Sequence, residues 1–330
     1  REAIAGDILL VNFECAMRDD VPEELIKENL LAMVGPTSGG QALKRMGVTL
    51  ASLANTHSLD GGVEGLRTTI ETLRKADIIP FGAGPDIDQA TAVPVIEQNG
   101  LRIGFVGFGG SYVAGKSRAG TLPLDLRESR QLIQHARTMC DFLVVYFHEG
   151  IEAIHYPMKS TVAACHQAAE CGADLVIGTH PHTIQGIEWY RGVPIAYSLG
   201  NFLFPLLASD LYDIWQPQTL LGRLGIPFDR KVIARQMVLR CTFSSDRTVR
   251  IETIPLFADE TCLPHVPHNG ESAEATAFIE RLNEAFNNPD AEVWRERDRI
   301  ERELNRMLRR DIQWKDVFKR LHRLRWRHLV

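Results

Sequence analysis

The chain has 330 residues, of which 45% are hydrophobic and 24% charged, and its formal net charge is −5 at pH 7. This composition is typical of a globular protein with one large domain or two domains. The negative charge excludes a nucleic-acid binder with an overall basic field. No stretch reaches the roughly 20 apolar residues that a membrane-spanning helix needs.

The first three quarters of the chain alternate strand-like and helix-like segments. The predicted strands are DILLVNFE, VTLASLA, IIPFGAG, LRIGFVGFGG, DFLVVYFHEG and DLVIGTHPH. The predicted helices are GVEGLRTTIETLRKA, ESRQLIQHARTM and STVAACHQAAECGA. In the first of these helices, apolar residues recur at helical spacing. Strands at this spacing, with helices between them, predict βαβ units and a layered α/β core.

After His182 the pattern changes to consecutive strands with turns, which predicts a more antiparallel sheet. We predict one domain over residues 1–258, followed over 259–330 by a linker and a helical, arginine-rich C-terminal extension. The tail FKRLHRLRWRHLV is cationic with interleaved apolar residues. Packing against the domain is the favoured interpretation of this tail; contact with an anionic membrane surface or with a capsule-synthesis partner are the alternatives.

Polar side chains follow four of the predicted strands where each strand ends. They are Glu14, Asn55 with His57, His148 with Glu149, and His180 with His182. Functional groups of layered α/β proteins gather at the carboxyl ends of strands, and carboxylate, amide and imidazole groups suit Mn, Fe or Zn. No cysteine joins them, which argues against a structural zinc site.

The sequence His180-Pro181-His182 adds a geometric expectation. In an extended backbone, residues i and i+2 project to the same side, and Pro181 biases His180 toward that conformation. Both rings would then enter one volume. Each ring would reach a different ion of a pair about 3.5–4 Å apart.

These segments resemble the bacterial capsule-synthesis CapA (PgsA-type) proteins of poly-γ-glutamate synthesis, a family of the calcineurin-like metallophosphoesterase superfamily. The resemblance extends over about residues 6–204 and is carried by NFECAM, SLANTHSLDGGVEGLRTTIETLRKADIIPFGAG, VVYFHEGIE and GADLVIGTHPHTIQGIEWYRGVPIAYSLGNFLF. It implies a four-layer α/β/β/α sandwich with a metal site between the sheets.

The resemblance also implies roles for individual residues. The metal ligands for one or two divalent ions (Mn, Fe or Zn) would be Glu14, Asn55, His148, His180 and His182. His57 would protonate the leaving oxygen or contact a phosphate. The supporting or substrate-contacting residues would be Asp60, Glu149, Glu188 and Asn201.

Three positions depart from the family pattern. Gly6-Asp7 precedes its strand, whereas the family's metal-binding aspartate ends one, so we expect the first strand to lie before Arg1 or to be missing. Thr56 replaces the second asparagine of the family's ANNH segment, so either Asn55 compensates or one metal position is weak. Glu149 replaces a tryptophan and becomes a further acceptor.

Three functions follow as alternatives. The first is a metal-dependent hydrolase of phosphoester or polymer linkages in surface-polymer biosynthesis, with an anionic polymer or phosphoester as its substrate. The second is a non-catalytic polymer-binding or assembly component with a degraded metal site. The third is a P-loop nucleotide-binding protein, because GSYVAGKS, residues 110–117, matches the P-loop pattern. A P-loop needs a helix after its lysine, and the following RAGTLP is a poor helix, so we favour an ordinary glycine-rich loop.

The compartment has two conflicting signals. Six cysteines without a pairing pattern suggest the cytoplasm. The family resemblance suggests a membrane-associated or cell-surface protein.

Overall fold

A computed structural model describes residues 2–28, 31–124, 127–204, 211–223, 225, 230–258, 262–267, 270–288, 294–295, 297–302 and 306. The strands are β1 (Leu10–Asn12), β2 (Ala16–Met17), β3 (Val34–Gly35), β4 (Leu50–Ser52), β5 (Ile79–Phe81), β6 (Ala83–Gly84), β7 (Val95–Gln98), β8 (Leu101–Gly109), β9 (Gly120–Thr121), β10 (Phe142–His148), β11 (Leu175–Thr179), β12 (Ile187–Tyr190), β13 (Val193–Ala196), β14 (Arg235–Phe243), β15 (Val249–Ala258) and β16 (Pro264–His265). The helices are α1 (Glu23–Glu28), α2 (Gly39–Met46), α3 (Gly62–Lys75), α4 (Ile87–Ala90), α5 (Arg127–Arg137), α6 (Lys159–Glu170), α7 (Leu211–Trp215), α8 (Leu220–Arg223), α9 (Arg230–Ala234) and α10 (Gly270–Ala285).

Two sheets carry the predicted parallel strands. The smaller sheet has the order β1-β4-β5, and all of its strands run parallel. The larger sheet has the order β12-β13-β11-β10-β8-β7, with a parallel centre and antiparallel edge strands β12 and β7. The central strands are buried on both faces, which explains their nearly continuous apolar sequences.

Alternating side chains of the larger sheet enter two different apolar cores. Val144 and Tyr146 of β10 face the smaller sheet, where they join Leu50 and Phe81. Their neighbour Val145 faces the opposite way, into the core that α5 and α6 complete. Helices α2 and α3 cover the outer face of the smaller sheet. This arrangement of helix, sheet, sheet and helix confirms the predicted four-layer α/β/β/α sandwich.

Glycines allow the two sheets to approach closely near the ends of their strands. A Cβ atom added at Gly107 of β8 would lie 3.0 Å from the Cα of Gly82, which follows β5. Gly82 itself has φ +85°, a conformation that favours glycine. The loops that follow the strands of both sheets therefore meet over a narrow gap.

The later part of the chain closes the sandwich. β14 and β15 form an antiparallel hairpin, as the change of pattern after His182 predicts. Ile279 and Leu282 of α10 pack against Ile187 and Met237. The division of the chain at residue 258 stays a prediction, and the cationic tail lies outside the described residues. Among the described residues, no helix has both the length and the apolarity needed to cross a bilayer.

Candidate metal centre

The carboxyl ends of strands from both sheets bring the predicted polar residues together. His148 is the last residue of β10 and pairs in register with Thr179, the last residue of β11. On the smaller sheet, Asn12 ends β1 beside Ser52 of β4. Because these strands are parallel, the residues that follow them emerge at the same edge of the sandwich.

Glu14, His148 and His180 form a compact cluster at this edge. Nε2 of His148 lies 3.1 Å from Oε1 of Glu14 and 3.1 Å from Nδ1 of His180. One potential ligand atom from each residue lies within 4.8 Å of the other two. The His148 side chain is fully buried and that of Glu14 is 18% exposed. A half-open set of two imidazoles and one carboxylate suits a divalent transition metal.

The electrostatics of the cluster keep these groups in the forms that bind a metal. Burial by itself would raise the pKa of Glu14, but the charge and hydrogen bond of His148, with the charges of His182 and His57, hold that pKa well below its usual range. Burial, followed by the charges of His148 and His182, lowers the pKa of His180 well below its usual value. A carboxylate and a neutral imidazole therefore face each other at neutral pH.

A chain of hydroxyl groups behind His148 fixes the orientation of its ring. Nδ1 of His148 lies 3.1 Å from Oγ1 of Thr179, and the Tyr146 hydroxyl donates to the same oxygen over 3.0 Å. Burial raises the pKa of Tyr146, so this phenol stays a donor. With Nδ1 held by Thr179, the His148 ring turns Nε2 toward Glu14 and His180, and Nε2 would be the ligand atom for a bound metal.

His180 and His182 converge, but not for the reason that the sequence suggested. Strand β11 ends at Thr179, and the backbone φ angles are +99° at His180 and +56° at His182. The extended conformation expected on both sides of Pro181 is therefore wrong. Left-handed conformations at both histidines bring their ring centroids to 6.1 Å. Such conformations cost about 1–3 kcal/mol each and are typical of functional sites.

His57 forms a tight pair with Asp60 beside the cluster. Nδ1 of His57 lies 2.6 Å from Oδ2 of Asp60, an oxygen that also accepts the Met33 N–H over 2.7 Å. Nε2 of His57 lies 4.0 Å from Oε1 of Glu14. The ring is therefore anchored on one side and faces the cluster with the other.

Comparison with known proteins places this chain in a family. The family model described as bacterial capsule synthesis protein PGA_cap matches residues 2–206. The chain belongs to the PGA_cap family. This confirms the resemblance on which the site assignment was based.

Individual known proteins match this chain over part of its length. The PGA biosynthesis protein CapA of Bacillus subtilis is 34% identical over 169 residues, which are 50% of this chain and 44% of that protein. The capsule biosynthesis protein CapA of Bacillus anthracis is 32% identical over 172 residues, 50% of this chain and 42% of that protein. The chain thus spans less than half the length of these two relatives. The solved structure of a hypothetical protein from Thermus thermophilus is 16% identical with a TM-score of 0.48, and covers 76% of this chain and 87% of its own.

Two neighbouring positions of this PGA_cap chain behave differently from the family-based expectation. The Asn55 amide donates to Oδ1 of Asn12 and to the Phe13 carbonyl, and its own oxygen accepts the His57 N–H. Asn55 is therefore engaged in holding the loop and does not point a free oxygen at the cluster. Thr56 lies closer, with Oγ1 3.5 Å from both Glu14 Oε1 and His148 Nε2.

His182 lies at the edge of the cluster with its own set of partners. Its Nδ1 lies 2.8 Å from Oδ1 of Asn201, and the Asn201 amide donates back to the His182 carbonyl. The ring stacks on Phe204, with centroids 4.5 Å apart, and meets Trp215 edge-on. Asn201 thus orients His182, and its amide also donates to the Ile233 carbonyl of α9 over 3.1 Å.

Glu188, Glu149 and Asp7 have interactions with other residues. Glu188 accepts hydrogen bonds from the Tyr197 hydroxyl and from His166 of α6. Successive side chains of a strand face opposite sides, and Ile187 on β12 faces α10, so Glu188 faces the other way. Its assignment to the site is therefore corrected. Burial raises the pKa of the Cys165 thiol, and the negative charge of Glu149 raises it further. Asp7 is exposed before β1, where it accepts from Asn99.

The P-loop interpretation is not supported. A turn follows at Lys116 and Ser117 in place of the helix that a P-loop requires, and Gly115 pairs across it with Arg118. The segment is a glycine-rich loop, as its sequence favoured.

Sequence reasoning missed the residues that support the ligands. Asn12 donates to Oε2 of Glu14 over 3.0 Å and accepts from Asn55, while Thr179 and Tyr146 orient His148. Their signal was weak but present. Asn12 stands two residues before Glu14, and Thr179 directly precedes His180.

Proposed function

We propose that this chain is a divalent-metal-dependent hydrolase that acts in the synthesis or processing of a bacterial surface polymer of the poly-γ-glutamate type. One observation carries the proposal: Glu14, His148 and His180, from three separate strand ends, converge within 4.8 Å beside the anchored ring of His57. Titratable groups that converge in a partly buried cleft and have shifted pKa values, as Glu14 and His180 have, are characteristic of functional sites.

Different residues of the chain would bind the metal ion and donate the proton. Glu14, His148 and His180 would hold the ion, which when bound would activate water and polarise a substrate oxygen. Asp60 fixes the His57 ring through Nδ1, so that Nε2 faces the cleft. Although burial works against it, hydrogen bonding to Asp60, with the charges of Glu14, Asp60 and Glu152, raises the pKa of His57. A protonated His57 is suited to donate a proton to a leaving oxygen.

The proposed substrate class comes from two sources. The relatives' names, PGA biosynthesis protein and capsule biosynthesis protein, support a role with an anionic surface polymer. The donor set, in turn, suits the hydrolysis of a phosphoester or of a linkage in such a polymer.

The test measures bound metal first and turnover second. The purified chain is analysed for Zn, Mn and Fe, and then assayed with an aryl phosphate and with poly-γ-glutamate in the presence of added Mn²⁺. We expect bound metal and turnover, with both lost in His148→Ala and both kept in His135→Ala, which changes an exposed histidine of α5. Absence of metal, or turnover that survives in His148→Ala, would overturn the proposal.

One observation favours the alternative of a non-catalytic polymer-binding component. Thr56 stands where the family has an asparagine, and Asn55 is engaged elsewhere. Bound metal, polymer binding and no turnover on any tested substrate would support this alternative.

A further inference from the structure

The hydroxyl group of Thr56 faces the same point as the three strong donors. Its Oγ1 atom lies 3.5 Å from Oε1 of Glu14 and 3.5 Å from Nε2 of His148. We infer that the Thr56 hydroxyl is a fourth, weak donor to a divalent ion held by Glu14, His148 and His180. The inference rests on the metal site of the proposed function and concerns the group that stands in for the family's asparagine.

Asn55 does not replace the missing asparagine ligand. Its amide donates to Asn12 and to the carbonyl of Phe13, over 3.2 and 2.9 Å. Its oxygen accepts the His57 N–H over 3.1 Å. Turning this side chain toward an ion would break these bonds in a fully buried position, at the cost of leaving polar groups unpaired. Of these two adjacent residues, Thr56 is the one whose side-chain oxygen faces the cluster.

The described residues offer one group of strong donors at this point. Among the residues that the structure describes, Glu14, His148 and His180 form the one group of three His, Cys, Asp or Glu donors with metal-binding spacing. His182 stands beside this group: its Nδ1 is held by Asn201, and its ring centroid is 6.1 Å from that of His180.

Glu14 is held by a neighbouring amide. Its Oε1 faces His148, whereas its Oε2 accepts the Asn12 amide over 3.0 Å. The arrangement therefore directs one oxygen at the ion and uses the other to fix the side chain.

The donor set has consequences for metal choice. Two imidazoles and one carboxylate suit Zn²⁺, Fe²⁺ or Co²⁺ better than Mg²⁺ or Ca²⁺. A threonine hydroxyl is an accepted ligand of divalent ions in proteins, but it is neutral and exchanges with water. Thr56 therefore adjusts affinity, while the three other groups create the site.

The experiment titrates the metal-free chain with Zn²⁺ and with Co²⁺. We expect bound metal, measured by calorimetry and by metal analysis after dialysis. Thr56→Val keeps the shape of the side chain and should weaken Zn²⁺ binding about 10-fold, and Thr56→Ser should restore it. The intensity of the visible Co²⁺ absorption should also change in Thr56→Val, because one ligand is replaced.

Two further variants complete the design. Thr242→Val is the matched control, since Thr242 is exposed on β14 beside Phe243, which packs on Phe142 at the far end of β10. It should leave both metal readouts unchanged. Thr56→Asn should bind Zn²⁺ more tightly than the parent chain, because an amide oxygen is a better donor.

The outcomes separate this inference from the proposed function. Parental Zn²⁺ affinity and Co²⁺ spectrum in Thr56→Val would overturn the inference and leave the hydrolase proposal standing. A chain that binds no metal at all would overturn both. Melting temperatures of the metal-free variants show whether any loss reflects misfolding.

Discussion

Oδ2 of Asp60 lies 2.6 Å from Nδ1 of His57 and also accepts the backbone N–H of Met33. One carboxylate oxygen thus joins the ring that faces the cleft to the segment that directly precedes β3. Asp60 is 7% exposed and His57 is 24% exposed, so solvent screens this pair only partly. The pair links the position of a candidate proton donor to the packing of the surrounding loops.

Replacing Asp60 by asparagine should lower the pKa of His57. Burial already lowers this pKa, and the hydrogen bond and charge of Asp60, with the charges of Glu14 and Glu152, outweigh it. Because the pKa of His57 is higher in the folded chain than in the unfolded chain, protonation of His57 stabilises the folded chain. This stabilisation is fully present below the unfolded-state pKa of about 6.5 and is lost as pH rises through the folded-state pKa. NMR titration of the imidazole in the metal-free chain measures the shift. Asp19→Asn, at an exposed carboxylate that accepts from Thr37, is the control.

Thr179→Val should weaken metal binding without removing a ligand. The variant takes away the oxygen that holds Nδ1 of His148 and leaves the buried Tyr146 hydroxyl unpaired. We expect about 10–100-fold lower Zn²⁺ affinity, and a loss of about 1–3 kcal/mol in the free energy of unfolding. The double variant with Tyr146→Phe should recover part of the stability but not the affinity. Parental affinity in Thr179→Val would show that this hydrogen bond does not orient the ring.

Gly109→Ala should destabilise the chain at the base of the site. An added Cβ would lie 2.5 Å from the carbonyl oxygen of His148 and 2.9 Å from its Cβ, at φ +130°. Gly100→Ala is the matched control, because Gly100 has φ +77° and open space around it. The control should lose about 1 kcal/mol through backbone strain, and Gly109→Ala an additional cost of about 1–3 kcal/mol through crowding. Urea unfolding of both variants measures the difference, and equal losses would contradict the steric argument.

The metal-free chain should lose stability in mild acid through His180. Burial, followed by the charges of His148 and His182, lowers the pKa of His180 in the folded chain. As pH falls, the unfolded chain therefore binds a proton at this residue at a higher pH than the folded chain does. Its contribution is therefore present above the unfolded value of about 6.5 and decreases as pH falls below it. His180→Asn removes the titrating ring and tolerates the positive φ angle. Urea unfolding in the presence of EDTA at several pH values checks this, and an unchanged pH dependence in the variant would contradict it.

Sequence patterns were sufficient for the layered fold, and for the position of most ligands along the chain. Period-two and helical spacing are local properties, and parallel strands oblige the residues after them to share one edge. Glu14, His148 and His180 could therefore be assigned to a common edge before any distance was known. The family motifs supplied the roles, which the strand pattern alone does not contain.

Tertiary structure decided which of the neighbouring side chains face the site. Asn55 and Thr56 are adjacent polar residues, yet only one of them faces the site. The Asn55 amide donates to Asn12 of β1, which turns it away from the cluster, whereas the Thr56 hydroxyl lies beside His148. His180 and His182 converge through left-handed backbone conformations, which sequence spacing does not predict. Glu188 lies on β12, and the alternation of side chains along that strand directs it to His166 of α6. The chain's local pattern determines where polar groups emerge, while the direction of each group depends on partners that only the folded sandwich brings within hydrogen-bonding distance.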